Sequence, residues 1–382
     1  MRAPLIGLMA GLLMSVSATA EPTATGDLGL VIERAKGSVL LVDQSDRAAL
    51  ARIEGLGDLS HASLVYSPDQ RFAYVFGRDG GLTKIDIVTR EIAGRVVQAG
   101  NAIGGAISDD GKLVAVSNYE PGGVRIFDAD TLEMVADLPT DSKTIGLVDA
   151  PGSRFVFTMW DTGETWIADM SSGKAEITKI ENMGENPYDA LITGNGRTYI
   201  TGLFGEDGLT ALDLWDDDPK PIRVLPNYGR GQQEMPVYKM PHLEGWALAD
   251  GEFVLPAVGH HEVLWIDADS FEETGRTKTH GQPVFAMARP DGRQVWVNFA
   301  HPLNDTIQVI DSVSKEIVHE FKPGPAVLHM EFTPRGHEVW LSVRDAGKVM
   351  VYDTQTFEKL REIEADSPSG IFFTSRAHRT GL

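Results

Sequence analysis

The residues of this 382-residue chain best suited to chemistry are its ten histidines, and most of them occupy one kind of position. Imidazole titrates near neutral pH and ligates metals through either ring nitrogen. His61, His242, His280 and His329 lie in or beside segments that lead into an apolar, β-branched run, and His260, His261 and His301 lie between two such runs. Only His319, His337 and His378 fall elsewhere. The cations Arg78, Lys143, Arg230, Lys239 and Arg344 and the aromatics Tyr119, Trp160 and Tyr188 share the same two kinds of segment. One such histidine alone is more often a surface residue than a ligand. Gathered with cations and aromatic faces, these side chains suit a flat, aromatic ligand whose carboxylates need Arg and Lys partners.

Other chemistries are excluded. Cysteine is absent, so thiol catalysis, disulfides, iron–sulfur clusters and covalent haem attachment through a Cys-x-x-Cys-His motif are impossible, as is lipidation of an N-terminal Cys. A net charge of −21 argues against nucleic acid, whose phosphates need a basic surface, and against anionic lipid. No Gly-x-Ser-x-Gly, His-Glu-x-x-His, Walker or Rossmann pattern occurs. The run Asp216-Asp217-Asp218 lacks the spaced oxygen ligands of a calcium loop and reads as a solvated turn.

The elements that must position these residues are read from an internal repeat. Turns of Pro/Asp/Gly type recur at Pro68, Asp109, Pro151, Asn195, Asp250, Asp291 and Gly336, each before a short strand such as Phe72–Phe76. A second strand then ends at Asp86, Asp128, Asp169, Asp213, Asp267, Asp311 or Asp353. The period of roughly 41–44 residues is that of four-stranded propeller blades. Leu28–Glu33, Ser38–Val42 and Ala49–Ile53 read as a blade lacking its first strand, which Gly370–Ser375 would supply. The expectation is an all-β, eight-bladed β-propeller of four-stranded blades, its ring closed by pairing of the N- and C-terminal strands. In such a ring, the loop leading into the first strand and the loop joining the second to the third open on one face. That face is the expected mouth. One unit is longer, with its extra residues around Asn227–Glu244, in the loop leading into a blade.

Met1–Ala20 reads as an export signal: Arg2, the apolar Leu5–Leu13, then Ala18-Thr19-Ala20 before Glu21. The expected organisation is a signal peptide at 1–20, a single propeller domain at 21–382, no membrane span, and a periplasmic, non-lipidated protein.

Ser60-His61, Ser67 to Arg71, Gly77-Arg78-Asp79-Gly80-Gly81 and, near the other end, Glu338 to Val343 resemble the haem d1 domain of cytochrome cd1 nitrite reductase. The likeness covers nearly all of the chain after residue 20, without the cytochrome c domain, and is strongest to the stand-alone d1-type propellers of haem d1 biosynthesis. The resemblance implies that His61 is the proximal ligand to the iron of a non-covalently bound tetrapyrrole, haem d1 or an iron isobacteriochlorin precursor. It makes His242, in Pro241-His242-Leu-Glu-Gly-Trp, the counterpart of one distal histidine and the candidate catalytic residue. The other distal histidine is replaced around Gly281-Gln282-Pro283-Val284 unless His280 reaches the site, which argues against nitrite reduction. Arg78, Lys143, Arg230, Lys239 and Arg344 are then candidates for the ligand's carboxylates. The implied role is a late step of haem d1 formation, a dehydrogenation or side-chain modification serving maturation of the nitrite reductase, with a c-type cytochrome as electron partner. The rival reading is a non-catalytic carrier that hands the tetrapyrrole to NirN, a related d1 protein with a cytochrome c domain, or to the reductase. A lactonase-like propeller would want a carboxylate-rich metal centre, which these segments do not offer.

Overall fold

The computed structural model describes residues 24–228, 246–257 and 260–378. The strands among them form eight four-stranded antiparallel sheets, each in meander order except the one that closes the ring. That sheet runs Ala48–Ile53, Ser38–Asp43, Leu28–Glu33, Pro368–Phe373, with Gly29 opposite Phe373 and Val31 opposite Ile371. The expected eight blades and their mode of closure are therefore present. The closing strand starts two residues earlier than its sequence suggests, and Thr374–His378 turn into a short 3-10 segment.

The blades are stable only together, because each sheet carries apolar side chains on both faces. Trp296, Ile307 and Val309 of one blade share a core cluster with Val327, Val339, Leu341 and Met350 of the next. Trp265, Trp296 and Trp340 are all fully buried between sheets. The turn between first and second strands repeats a close contact. At Gly111, Gly196 and Gly336 φ is near +70°, and a Cβ there would meet the preceding blade's Pro68, Pro151 or Arg289 at 2.4–2.7 Å. Only glycine fits that combination of φ and space.

The aspartates that end the third strands have a separate task. Asp128, Asp267, Asp311 and Asp353 each accept hydrogen bonds from backbone N–H groups two and three residues on, and from the hydroxyl three residues on. Each carboxylate closes an Asx-type turn into the fourth strand. No helix among the described residues is long and apolar enough to cross a membrane.

Candidate functional site

The mouth is built from two loop sets tied together by one repeated backbone bond. The N–H after the second strand donates to a carbonyl of the loop leading into the same blade: Arg34 to Ser367, Arg78 to Asp58, Trp160 to Lys143, Phe204 to Asn186, Ala300 to Gln282 and Arg344 to Ala326. The two loop sets therefore share a face, as the repeat predicts.

A second repeated feature was not visible in the sequence. Among the described residues, six of the eight inner strands carry a register shift in their mouth-side half. The shifts fall at Ala102/Gly104, Ile145/Val148, Pro187/Ala190, Pro283/Ala286, Val327/His329 and near Pro368. A bulge re-aims the side chains it contains. Tyr188 and Phe285 lie within such shifts and His329 at the edge of one, so strict alternation does not give the faces on which they lie.

An aromatic ledge runs along one side. Trp160 packs on Phe204 at 4.6 Å and edge-on to Tyr188 at 5.6 Å. The Tyr119 hydroxyl donates to that of Tyr188 at 3.2 Å. Cations cap both ends, with the Arg78 guanidinium 5.6 Å from the Tyr119 ring and Lys143 Nζ 5.9 Å from the Trp160 ring. Arg78 and Lys143 are thus brought onto one surface. His61 stands exposed in the loop whose Asp58 carbonyl holds Arg78, and Ser60 N–H donates to the Asp58 carboxylate.

On another side, a cleft of about 840 Å³ is lined by Lys36, Arg52, Arg344, Asp345, Glu364 and Asp366, among others. Most of its charges are paired. Arg52 forks onto the fully buried Glu33 at 2.6 and 2.8 Å, Lys36 meets Asp366 at 2.8 Å, and Arg344 meets Asp345 at 2.7 Å. Arg34 is different. Its Nε is buried without an acceptor among the described residues, and burial, followed by the repulsion of Arg344, lowers its guanidinium pKa. Sequence reading missed this residue, because an Arg one place beyond a strand looks like any other surface cation.

His280 is held within its own blade. Its N–H donates to Gln308, its ring lies edge-on to Phe299 at 5.6 Å, and its Nε2 is 3.5 Å from Thr306 Oγ1. His329 sits on the inner strand Val327–Phe332 rather than in a loop. It stacks on Phe372, meets Phe285 edge-on, and accepts the Ile371 N–H at Nδ1. Arg376 covers Phe372 at 5.1 Å and forks onto the fully buried Glu331 at 2.9–3.2 Å. His260 and His301 are exposed in their loops. Arg230, Lys239 and His242 lie outside the described residues. No cluster of three or more His, Asp or Glu suited to a bare metal ion occurs among the described residues.

The donor set fits a flat carboxylate-bearing macrocycle. It offers aromatic faces, cations at separate points around the rim, and buried polar atoms without partners among the described residues at Arg34 Nε, Asn101 Oδ1 and Gln282 Nε2, all at mouth-side positions. Fold and site together define a β-propeller with an aromatic, cation-rimmed mouth. The sequence model of the "Cytochrome D1 heme domain" matches residues 23–377, and the chain belongs to that family. It is 55% identical to "Protein NirF" of Stutzerimonas stutzeri and to "Protein NirF" of Pseudomonas aeruginosa, each over 99% of both chains. The "Dihydro-heme d1 dehydrogenase" of Pseudomonas aeruginosa is 27% identical over 90% of this chain and 70% of its own. Among solved structures, NirN in complex with DHE superposes with a TM-score of 0.83 at 24% identity, over 95% of this chain and 78% of that one, and shows the same fold.

Proposed function

We propose that this protein acts in haem d1 biosynthesis by binding a late iron isobacteriochlorin precursor, of dihydro-haem d1 type, non-covalently in the propeller mouth. The observation that carries the reading is the mouth itself: an aromatic ledge flanked by Arg78 and Lys143, with a half-buried Arg34 on the same face that has no acceptor among the described residues, on a chain of the d1 haem domain family. His61 is the axial ligand in this reading. Arg78, Lys143 and Arg344, with Arg230 and Lys239 on the long loop and Arg34 beside Arg344, hold carboxylates. His242 and His280 are the acid–base candidates over the ligand. The bound iron macrocycle supplies the redox chemistry; the protein supplies orientation and charge. The setting is the periplasm, after removal of residues 1–20, with the nitrite reductase, NirN and a c-type cytochrome as partners.

The test is an absorption titration of the mature protein with dihydro-haem d1, beside His61→Ala and His242→Ala. A saturable spectral shift lost in His61→Ala is expected. Conversion of the bound precursor in the presence of an acceptor, lost in His242→Ala while binding is kept, identifies an enzyme. Stable binding followed by transfer to the reductase identifies a carrier. No shift in the wild type overturns the reading.

A further inference from the structure

Tyr119 is the last but one residue of the strand Leu113–Glu120, and Tyr188 is the second residue of the inner strand Pro187–Ile192. They do not belong to neighbouring blades, since the blade of Thr144–Ala150 stands between them. Their hydroxyls nevertheless meet at 3.2 Å, across the mouth-side end of that intervening blade. Local geometry allows the approach. Gly146 of the intervening inner strand has φ +58°, and a Cβ there would lie 2.7 Å from the Tyr188 carbonyl oxygen. The register shift between Pro187 and Ala190 sets the direction of Tyr188.

Two phenols bring two O–H protons, and their mutual bond uses one. Among the described residues neither hydroxyl has another hydrogen-bond partner, so one O–H remains to donate. Burial, the largest cause in both, raises the pKa of each phenol, and Tyr119 raises that of Tyr188 further. At neutral pH the pair is a donor, not a base. Arg78 lies over the Tyr119 ring with no carboxylate in ion-pair distance among the described residues. A phenol O–H and a guanidinium, neither with an acceptor among the described residues, are thus joined through Tyr119, whose ring carries Arg78 and whose hydroxyl meets Tyr188.

Resting on the reading above, we infer that Tyr119 and Tyr188 form a neutral hydrogen-bond donor that, with Arg78, fixes one carboxylate of the bound tetrapyrrole. Arg78 balances the charge and the tyrosine pair sets its direction. The tyrosines are thus positioning residues that fix the angle of the macrocycle over the ledge.

The experiment is a titration with dihydro-haem d1 of wild type, Tyr188→Phe, Tyr119→Phe, Arg78→Gln and the Tyr188→Phe/Arg78→Gln double variant, with melting curves of each. Each single variant should weaken binding about 10-fold, the scale of one hydrogen bond to a charged group. The double variant should lose clearly less than the product of the singles, because both groups serve one carboxylate. Melting midpoints should stay close to wild type, and the methyl-ester form of the ligand should bind Tyr188→Phe and wild type alike. Wild-type affinity in Tyr188→Phe, or losses that simply multiply, would overturn the inference while leaving the binding site in place. A Tyr188→Phe loss retained with the ester would mean a neutral carbonyl acceptor and overturn the carboxylate. Absence of any wild-type binding would sink the inference together with the function it rests on, an outcome distinct from the other two.

Discussion

Arg34 carries an energetic penalty that none of the described residues relieves. A guanidinium is tolerated in a half-buried site when an anion faces it. Here burial and Arg344 both act against its charge, while neighbouring Arg52, Lys36 and Arg344 all have carboxylates. Arg34→Gln should therefore leave the melting temperature unchanged or slightly raised, yet weaken dihydro-haem d1 binding about 10-fold by absorption titration. A variant that melted early and bound normally would make Arg34 a structural residue. The sequence made Arg78, Lys143, Arg344 and the aromatics legible as mouth residues, because their loop positions follow from the repeat alone. It did not mark Arg34, because what sets that residue apart is burial without a partner, and burial is a property of the folded ring.

At the level of strands, the punctuation was readable and the register was not. Phe72–Phe76 was bounded by turn residues, so its limits could be read directly. A bulge inserts one residue against a partner strand, and nothing in a single strand's alternation announces it. His329 shows the consequence: it was placed in or beside the segment leading into a strand, and it is the third residue of that inner strand, stacked on the closing strand's Phe372. That closing strand is also held by the Arg376–Glu331 pair, in which Glu331 is fully buried. Arg376→Ala leaves a buried carboxylate without this partner and should cost about 3–5 kcal/mol in urea unfolding. The double variant Arg376→Met/Glu331→Gln should recover much of that loss, since two matched apolar and neutral groups need no counter-charge. Equal stability of wild type and Arg376→Ala would show that ring closure does not depend on the pair.

The whole molecule is an assembly of like parts, and its response to acid should reflect one part repeated. The aspartates ending the third strands at 86, 128, 169, 213, 267, 311 and 353 all have lowered pKa values. Backbone N–H groups are the largest cause at Asp128, Asp267, Asp311 and Asp353, the Ser171 side chain at Asp169, and Arg197 at Asp213. At Asp86 burial pulls upward and is outweighed by Arg71 and two backbone N–H groups. A carboxylate with a depressed folded pKa stabilises the fold above its unfolded value of about 3.9 and loses that contribution as pH falls through the folded value. The melting temperature should accordingly be flat above about pH 5 and fall steeply below about pH 4. Asp267→Asn and Asp311→Asn, which keep an acceptor for the turn, should shallow that fall; an unchanged slope would place the acid sensitivity elsewhere. Eight blades and their closure were legible because the repeat is a property of the chain as a string, whereas the charge pattern of the mouth exists only once the ring is shut. That closure also fixes an order of events during synthesis. The N–H of Asp366 bonds Glu33 across 333 residues of chain, next to Arg34, so this edge of the mouth is missing until almost the whole polypeptide has been made. A prematurely stopped chain lacks this finished rim, so a ligand that needs it would meet it only on complete molecules.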